Sequence, residues 1–265
     1  MLYRPIAVFD SGLGSLSVVR ELRKIVPAEN IIYFADRMNF PYGNKPRDSL
    51  KHIITKSIKF LEKYKPKLII IASNTPSVQI FDEIKNSFAI EIISTKPPLV
   101  KSVKMSKKNH IAIMASTGML KSKEFDYLIK KEIPQDVFIT KIDSSDIIEL
   151  VENGTFLWNK PITYEMIEKK IKPNFDDSID VITLASTHLN FIKNYLSDLL
   201  PSIKFVDSSV QVAKDAKDYL RSNQDLVKNG NGKLEILVSS DKKNFQTVLR
   251  YMGIKEIIYD VSLQF

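Results

Sequence analysis

The chain has 265 residues, 44% hydrophobic and 26% charged, a size and balance that suit one large globular domain or two smaller ones. The net charge is +8, yet only seven of the 39 basic residues are Arg and no basic–aromatic block occurs; this argues against nucleic-acid binding and is equally consistent with a pull on small anions. Cysteine is absent, which removes disulfides, thiolate metal sites and thiol nucleophiles together, and three widely spaced histidines (His52, His110, His188) give no expectation of a metal site. No run of about 18 apolar residues is present to span a membrane. The opening "MLYRPIAVFD" enters a strand pattern within five residues, leaving no room for a signal peptide, so a cytoplasmic location is expected.

In chain order, short apolar runs predict strands at 6–9, 31–34, 68–72, 90–93, 111–114, 137–140, 181–184, 203–206, 234–238 and 256–259. Helical spacing between them predicts helices at 15–25, 46–64, 75–86, 121–131, 163–170, 188–199 and 211–221. Strand–helix alternation of this kind implies parallel sheets covered by helices on both faces, hence an α/β fold.

An internal echo accompanies the alternation. "VFDSGLGS" (8–15) and "IMASTGML" (113–120) each run from a strand into a small polar turn with Gly. "IIIASNTPS" and "VITLASTHL" follow, each a strand ending in Ala-Ser, about 65 to 73 residues further on. Two copies of one α/β unit account for the echo, although small residues after buried strands are common in any case.

Carboxyl ends of parallel strands are where α/β proteins place ligands, which directs attention to the polar turns. "FDSGLGS" sets Asp10 and Ser11 at a strand end before two glycines, a turn that suits a carboxylate or merely a tight change of direction. Its GxGxxS spacing and the adjacent Asp10 speak against a dinucleotide. In "YFADRMNFPYGNK", Asp36 ends a strand and Pro41-Tyr42-Gly43 follows; the Tyr hydroxyl and a backbone N–H could take a carboxylate, or the segment could be a surface turn. His188 lies two residues after Ser186, but no GxSxG elbow surrounds either Ser73 or Ser186, so a serine-hydrolase triad lacks support. By pattern alone Glu152, in "ELVENG", is a surface acid at a helix end.

Taken together, "FDSGLGSLSVVREL", "IIYFADRMNFPYGNK", "IIIASNTPS", "ELVENG" and "LASTHLN" resemble, in order and spacing, the motifs of the cofactor-independent glutamate racemases. The resemblance implies two similar doubly wound parallel-sheet lobes related by pseudo-twofold symmetry, with the active-site cleft between them: residues 1–95, completed by 208–265, and residues 96–207. It further implies a protein that interconverts L- and D-glutamate without a cofactor and supplies D-glutamate for peptidoglycan. Family members are often dimers, which makes a homodimer an expectation. Carried over by position, Asp10, Ser11, Tyr42, Gly43, Asn74, Thr75, Thr187 and His188 would hold the substrate. Asp10, Asp36, Glu152 and His188 would assist the two cysteines that exchange the α-proton in the family. At those two positions this chain has Ser73 and Ser186.

The exchange is chemically consequential. A thiol titrates near 8.5 and a hydroxyl closer to water's 15.7, a gap of about 7 units or ~9 kcal/mol for forming the base. Entered wholly into the barrier, it would slow the step by about six or seven powers of ten. A neighbouring base offsets part of such a deficit in serine nucleophiles; His188 is the candidate for Ser186, and Asp10 or Asp36 for Ser73. Neighbouring departures, Pro76, Val78, Leu189, Asn190 and Met119, point to natural divergence and keep open a second reading, a glutamate- or diacid-binding protein without turnover.

Overall fold

A run such as Leu-Ile-Ile-Ile has no polar face to offer water, so it is stable only where both faces are covered. All four of these residues are buried, as β3 (Leu68–Ile71), an interior strand of a six-stranded sheet, next to its edge strand. The computed structural model describes residues 4–261, and in them every one of the ten predicted strands is present. They are β1 (Ile6–Asp10), β2 (Ile31–Ala35), β3, β4 (Ile92–Ser94), β5 (His110–Ala115), β6 (Phe138–Asp143), β7 (Val181–Leu184), β8 (Lys204–Val206), β9 (Leu234–Val238) and β10 (Ile258–Asp260).

The described residues divide into two compact units: one formed up to Thr95 and again from Ser209 onward, the other by Lys96–Ser208. Unit 1 holds the order β10-β9-β2-β1-β3-β4 and unit 2 the order β6-β5-β7-β8, with every pairing parallel. In both, the first strand lies between the second and the third, so the duplication read from the sequence is a repeat of topology.

Helices cover the sheets with apolar stripes. Helix Arg47–Glu62 turns Leu50, Ile54, Ile58 and Leu61 inward at spacings of four, four and three, which puts them on one face. They pack with Phe9, Ile32, Phe34, Ile69 and Ile71. Helix Ser209–Ser222 packs beside helix Leu16–Ile25, burying Val212, Ala213, Ala216 and Leu220.

The late segment of unit 1 is held by a buried ion pair, Lys67 Nζ to Glu29 Oε2 at 2.6 Å, with side chains 3% and 1% exposed. Lys67 also donates to the Asp225 carbonyl at 2.7 Å, and the Val227 N–H donates to Glu29 Oε1 at 2.8 Å.

Several helix boundaries differ from the sequence expectation. The helix expected over 75–86 is three pieces, Asn74–Gln79, Phe81–Ile84 and a 3-10 turn Lys85–Ser87, because Ile80 leaves helical backbone at φ −134°. That expected over 188–199 begins as a 3-10 turn, Thr187–Ile192, before helix Lys193–Leu199. Helices Leu99–Met105 and Lys242–Tyr251 lie outside the sequence expectation, while helix Ser145–Glu152 ends at Glu152, as the sequence pattern expects. Among the described residues no helix is long and apolar enough to cross a membrane.

Candidate active site

In unit 1, adjacent strands β1, β2 and β3 end level, and their next residues carry the polar groups. Asp10 closes β1 and is 1% exposed; its Oδ1 accepts from the N–H of Ser11 at 2.6 Å and from the Ser11 hydroxyl at 3.3 Å. The Tyr33 hydroxyl donates to the Gly12 carbonyl at 2.7 Å and so fixes the turn that follows. Burial pushes the Tyr33 phenol up, which keeps it a donor across the working pH range.

Asp36 follows β2, and its N–H donates to the Asp10 carbonyl at 2.8 Å. Its carboxylate is fully buried and accepts from Asn39, Tyr42 and Ser239. Burial raises its pKa, while these donors act in the opposite direction. Tyr42 is therefore neither a surface turn residue nor an outward-facing donor. It is 1% exposed in the hydrophobic core, its hydroxyl spent on Asp36 at 3.0 Å, and burial pushes its phenol well above the ordinary value. Gly43, half-buried, leaves the backbone as what the turn can offer a ligand.

Ser73 sits two residues beyond β3, buried, in extended backbone (φ −140°, ψ 128°). The Ala72 N–H before it donates to the Phe9 carbonyl at 2.9 Å, pinning this turn to β1. Asn74 and Thr75 open the next short helix and are 4% and 7% exposed; Asn74 Oδ1 has no hydrogen-bond partner among the described residues. Ser77, one helical turn on, donates to the Ser73 carbonyl at 2.7 Å and accepts from the Thr95 N–H at 3.0 Å. Unit 1 thus gathers Asp10, Ser11, Asp36, Tyr42, Gly43, Ser73, Asn74 and Thr75 at one end of its sheet.

Unit 2 repeats the turn. Ser186 lies two residues beyond β7 at φ −145°, ψ 135°, half-buried, and the Ala185 N–H donates to the Met114 carbonyl at 2.8 Å. Thr187 and His188 follow, 4% exposed each. His188 Nε2 meets Glu152 Oε2 at 2.9 Å, their side chains 5% and 2% exposed. Glu152 does end a helix, Ser145–Glu152, but it is buried, not a surface acid, because an unpaired carboxylate would not be retained there without the imidazole. Met119 is fully buried within unit 2.

Sequence reasoning missed Asn39, Tyr33, Ser77 and Ser239, and in unit 2 a cluster of Thr117, Asp143 and Ser145. There the Thr117 hydroxyl donates to Asp143 Oδ2 at 2.5 Å, and the Ser145 hydroxyl and N–H to Asp143 Oδ1 at 2.8 and 3.0 Å. Partial burial pushes the Asp143 carboxyl up, but these donors and Lys170 outweigh it and hold the pKa below its ordinary value. Ser239 and Asp143 lie at or just past strand ends, the same rule that singled out Ser73, so a signal was present for both.

Two parallel α/β units, each with a strand–Ala–Ser turn pinned to its first strand, define the class of protein. No protein-family model matches the chain. Glutamate racemase from Thermoanaerobacter pseudethanolicus is 31% identical over 243 residues, 91% of this chain and 90% of that protein. Glutamate racemase from Clostridium novyi is 32% identical over 240 residues, 89% of this chain and 92% of that protein. The crystal structure of glutamate racemase from Francisella tularensis in complex with D-glutamate superposes with a TM-score of 0.83 at 27% identity, covering 98% of both chains. The chain belongs to the glutamate racemase family.

Proposed function

We propose that this protein binds glutamate and interconverts its L and D forms by removing the α-proton on one face and returning a proton on the other. Ser73 and Ser186 stand where the family carries its two cysteines and supply the two exchanging hydroxyls. On the receiving face the serine oxygen takes the α-proton as its own hydroxyl proton passes to the neighbouring base. On the other face the serine gives its proton to the α-carbon and is reprotonated by its neighbour, which begins protonated; solvent then resets the pair. His188, oriented by Glu152, backs Ser186; Asp10 backs Ser73. Ser11, the Gly43 backbone, Asn74, Thr75, Thr187 and His188 hold the substrate's charged groups. Only protons move, so the step needs no cofactor. The D-glutamate formed supplies peptidoglycan synthesis, which sets the protein in the cytoplasm, with a homodimer as its assembly.

The observation that carries this reading is kinship with glutamate racemases over about nine-tenths of the chain. Serine in place of thiol makes the step slow. The second reading, binding without turnover, is favoured by one specific fact, the complete absence of cysteine from the chain.

The test is α-hydrogen exchange: L-glutamate in D2O, followed by NMR and optical rotation together. Exchange with loss of rotation supports racemisation. A silent protein that still binds glutamate by calorimetry would overturn turnover and leave the binding reading; no binding of either enantiomer would sink both.

A further inference from the structure

We infer that Ser239, at the end of β9, is a positioning residue for the Tyr42–Gly43 turn, acting through Asp36, and that Asp36 is itself a positioning group and not a proton carrier. The inference deepens the functional reading above and rests on it, since that reading gives the turn its substrate.

An ionised carboxylate has about four lone-pair sites, two on each oxygen. Three side chains donate to Asp36, and one of them, the Asn39 amide nitrogen, bridges both oxygens. Oδ1 accepts from Asn39 Nδ2 at 3.0 Å and from the Ser239 hydroxyl at 3.0 Å. Oδ2 accepts from Asn39 Nδ2 at 2.8 Å and from the Tyr42 hydroxyl at 3.0 Å. The residue is 0% exposed. To take a proton it would have to displace the Asn39 amide or turn the Tyr42 or Ser239 hydroxyl from donor to acceptor, in a buried place.

Ser239 completes the arrangement from the far end of the sequence. Its hydroxyl donates to Asp36 and accepts from the Met38 N–H at 3.0 Å, so one side chain holds both the acid and the backbone that begins the turn. It is 5% exposed, and its own N–H donates to the Ala35 carbonyl at 3.2 Å. Ser239 thereby links β9 to the segment running from Asp36 through Gly43, and a hydroxyl that merely filled space would satisfy neither contact.

The experiment compares the full chain with Ser239→Ala, Ser239→Thr and Asp36→Asn, by amide hydrogen exchange and by calorimetric titration with L-glutamate. Ser239→Ala is expected to speed exchange over 38–45 about tenfold, leave 96–208 unchanged and weaken glutamate about tenfold. Ser239→Thr, which keeps the hydroxyl, restores both. Asp36→Asn is expected to weaken glutamate as Ser239→Ala does. Unchanged exchange over 38–45 in Ser239→Ala would overturn the positioning role. Full glutamate affinity with lost α-hydrogen exchange in Asp36→Asn would make Asp36 a proton carrier after all. If the unmodified chain binds no glutamate, the functional reading falls while amide exchange still decides the role of Ser239; if Asp36→Asn does not fold, the Ser239 pair decides alone.

Discussion

Units 1 and 2 use one strand order to make the same turn, yet arm it differently. Ser73 and Ser186 share backbone angles to within about 7°, and the alanine before each donates to the strand next door. The residue after the second strand also matches: the Asp36 N–H donates to the Asp10 carbonyl, and the Ser144 N–H to the Ala115 carbonyl, each at 2.8 Å. Unit 1 therefore has acids at Asp10 and Asp36 where unit 2 has Ala115 and Ser144. The buried acid of unit 2 comes instead from a helix, as Glu152, and it is joined to an imidazole. Backbone geometry was duplicated; the ionisable groups around it were chosen separately in each copy.

The sharpest way to break this comparison is to introduce thiols one unit at a time. Ser73→Cys/Ser186→Cys should raise α-hydrogen exchange of glutamate by up to about six powers of ten, each single variant far less, because both faces need a competent group. The NMR exchange assay reads this directly; a double variant no faster than the unmodified chain would show that the serines are not what limits the rate.

Next in size is the buried Lys67–Glu29 pair of unit 1. Lys67→Met strands the Glu29 charge and should cost about 3–5 kcal/mol. The only tryptophan, Trp158, lies in unit 2, so urea unfolding followed by its fluorescence should hardly move while far-UV circular dichroism shows early loss of unit 1. Coincident shifts in both signals would mean that the units unfold as one.

Glu152→Ala should act on the other side, removing the partner of His188 and lowering the tryptophan-monitored transition by about 1.5–3 kcal/mol. A smaller effect comes from pH. Asp143 has a depressed folded pKa, so its contribution to unit 2 is full above about 3.8, the ordinary carboxylate value, and is lost as pH falls through the folded value. Asp36 has a raised one, so its contribution to unit 1 has the opposite sign: full below about 3.8 and lost as pH rises through the folded value. Denaturant midpoints measured from about pH 5 down through and below about 3.8 should thus hold and then fall for the tryptophan signal, and Asp143→Asn should flatten that fall.

Strands and topology were legible because runs such as Leu68–Ile71 permit only a doubly covered strand. Serines at 73 and 186 were legible because they follow such runs. Burial of Glu152 was not, since it depends on His188 arriving from 36 residues later. Nor was the inward turn of Tyr42, which needs Asp36 to receive its hydroxyl. Helix Lys242–Tyr251 carried a signal that went unused: Phe245, Val248 and Leu249 bury one stripe at spacings of three and one.

Unit 1 is interrupted, and that has a bearing on birth rather than function. As the chain leaves the ribosome, β1 to β4 emerge early, but β9, which pairs with β2, comes only after all of unit 2. Unit 2 can finish folding while its neighbour still shows the bare flank of β2, the five apolar and aromatic residues Ile31–Ala35, to the cell. Translation speed and chaperone supply over that interval, more than final stability, would then govern how much of this protein reaches its native state.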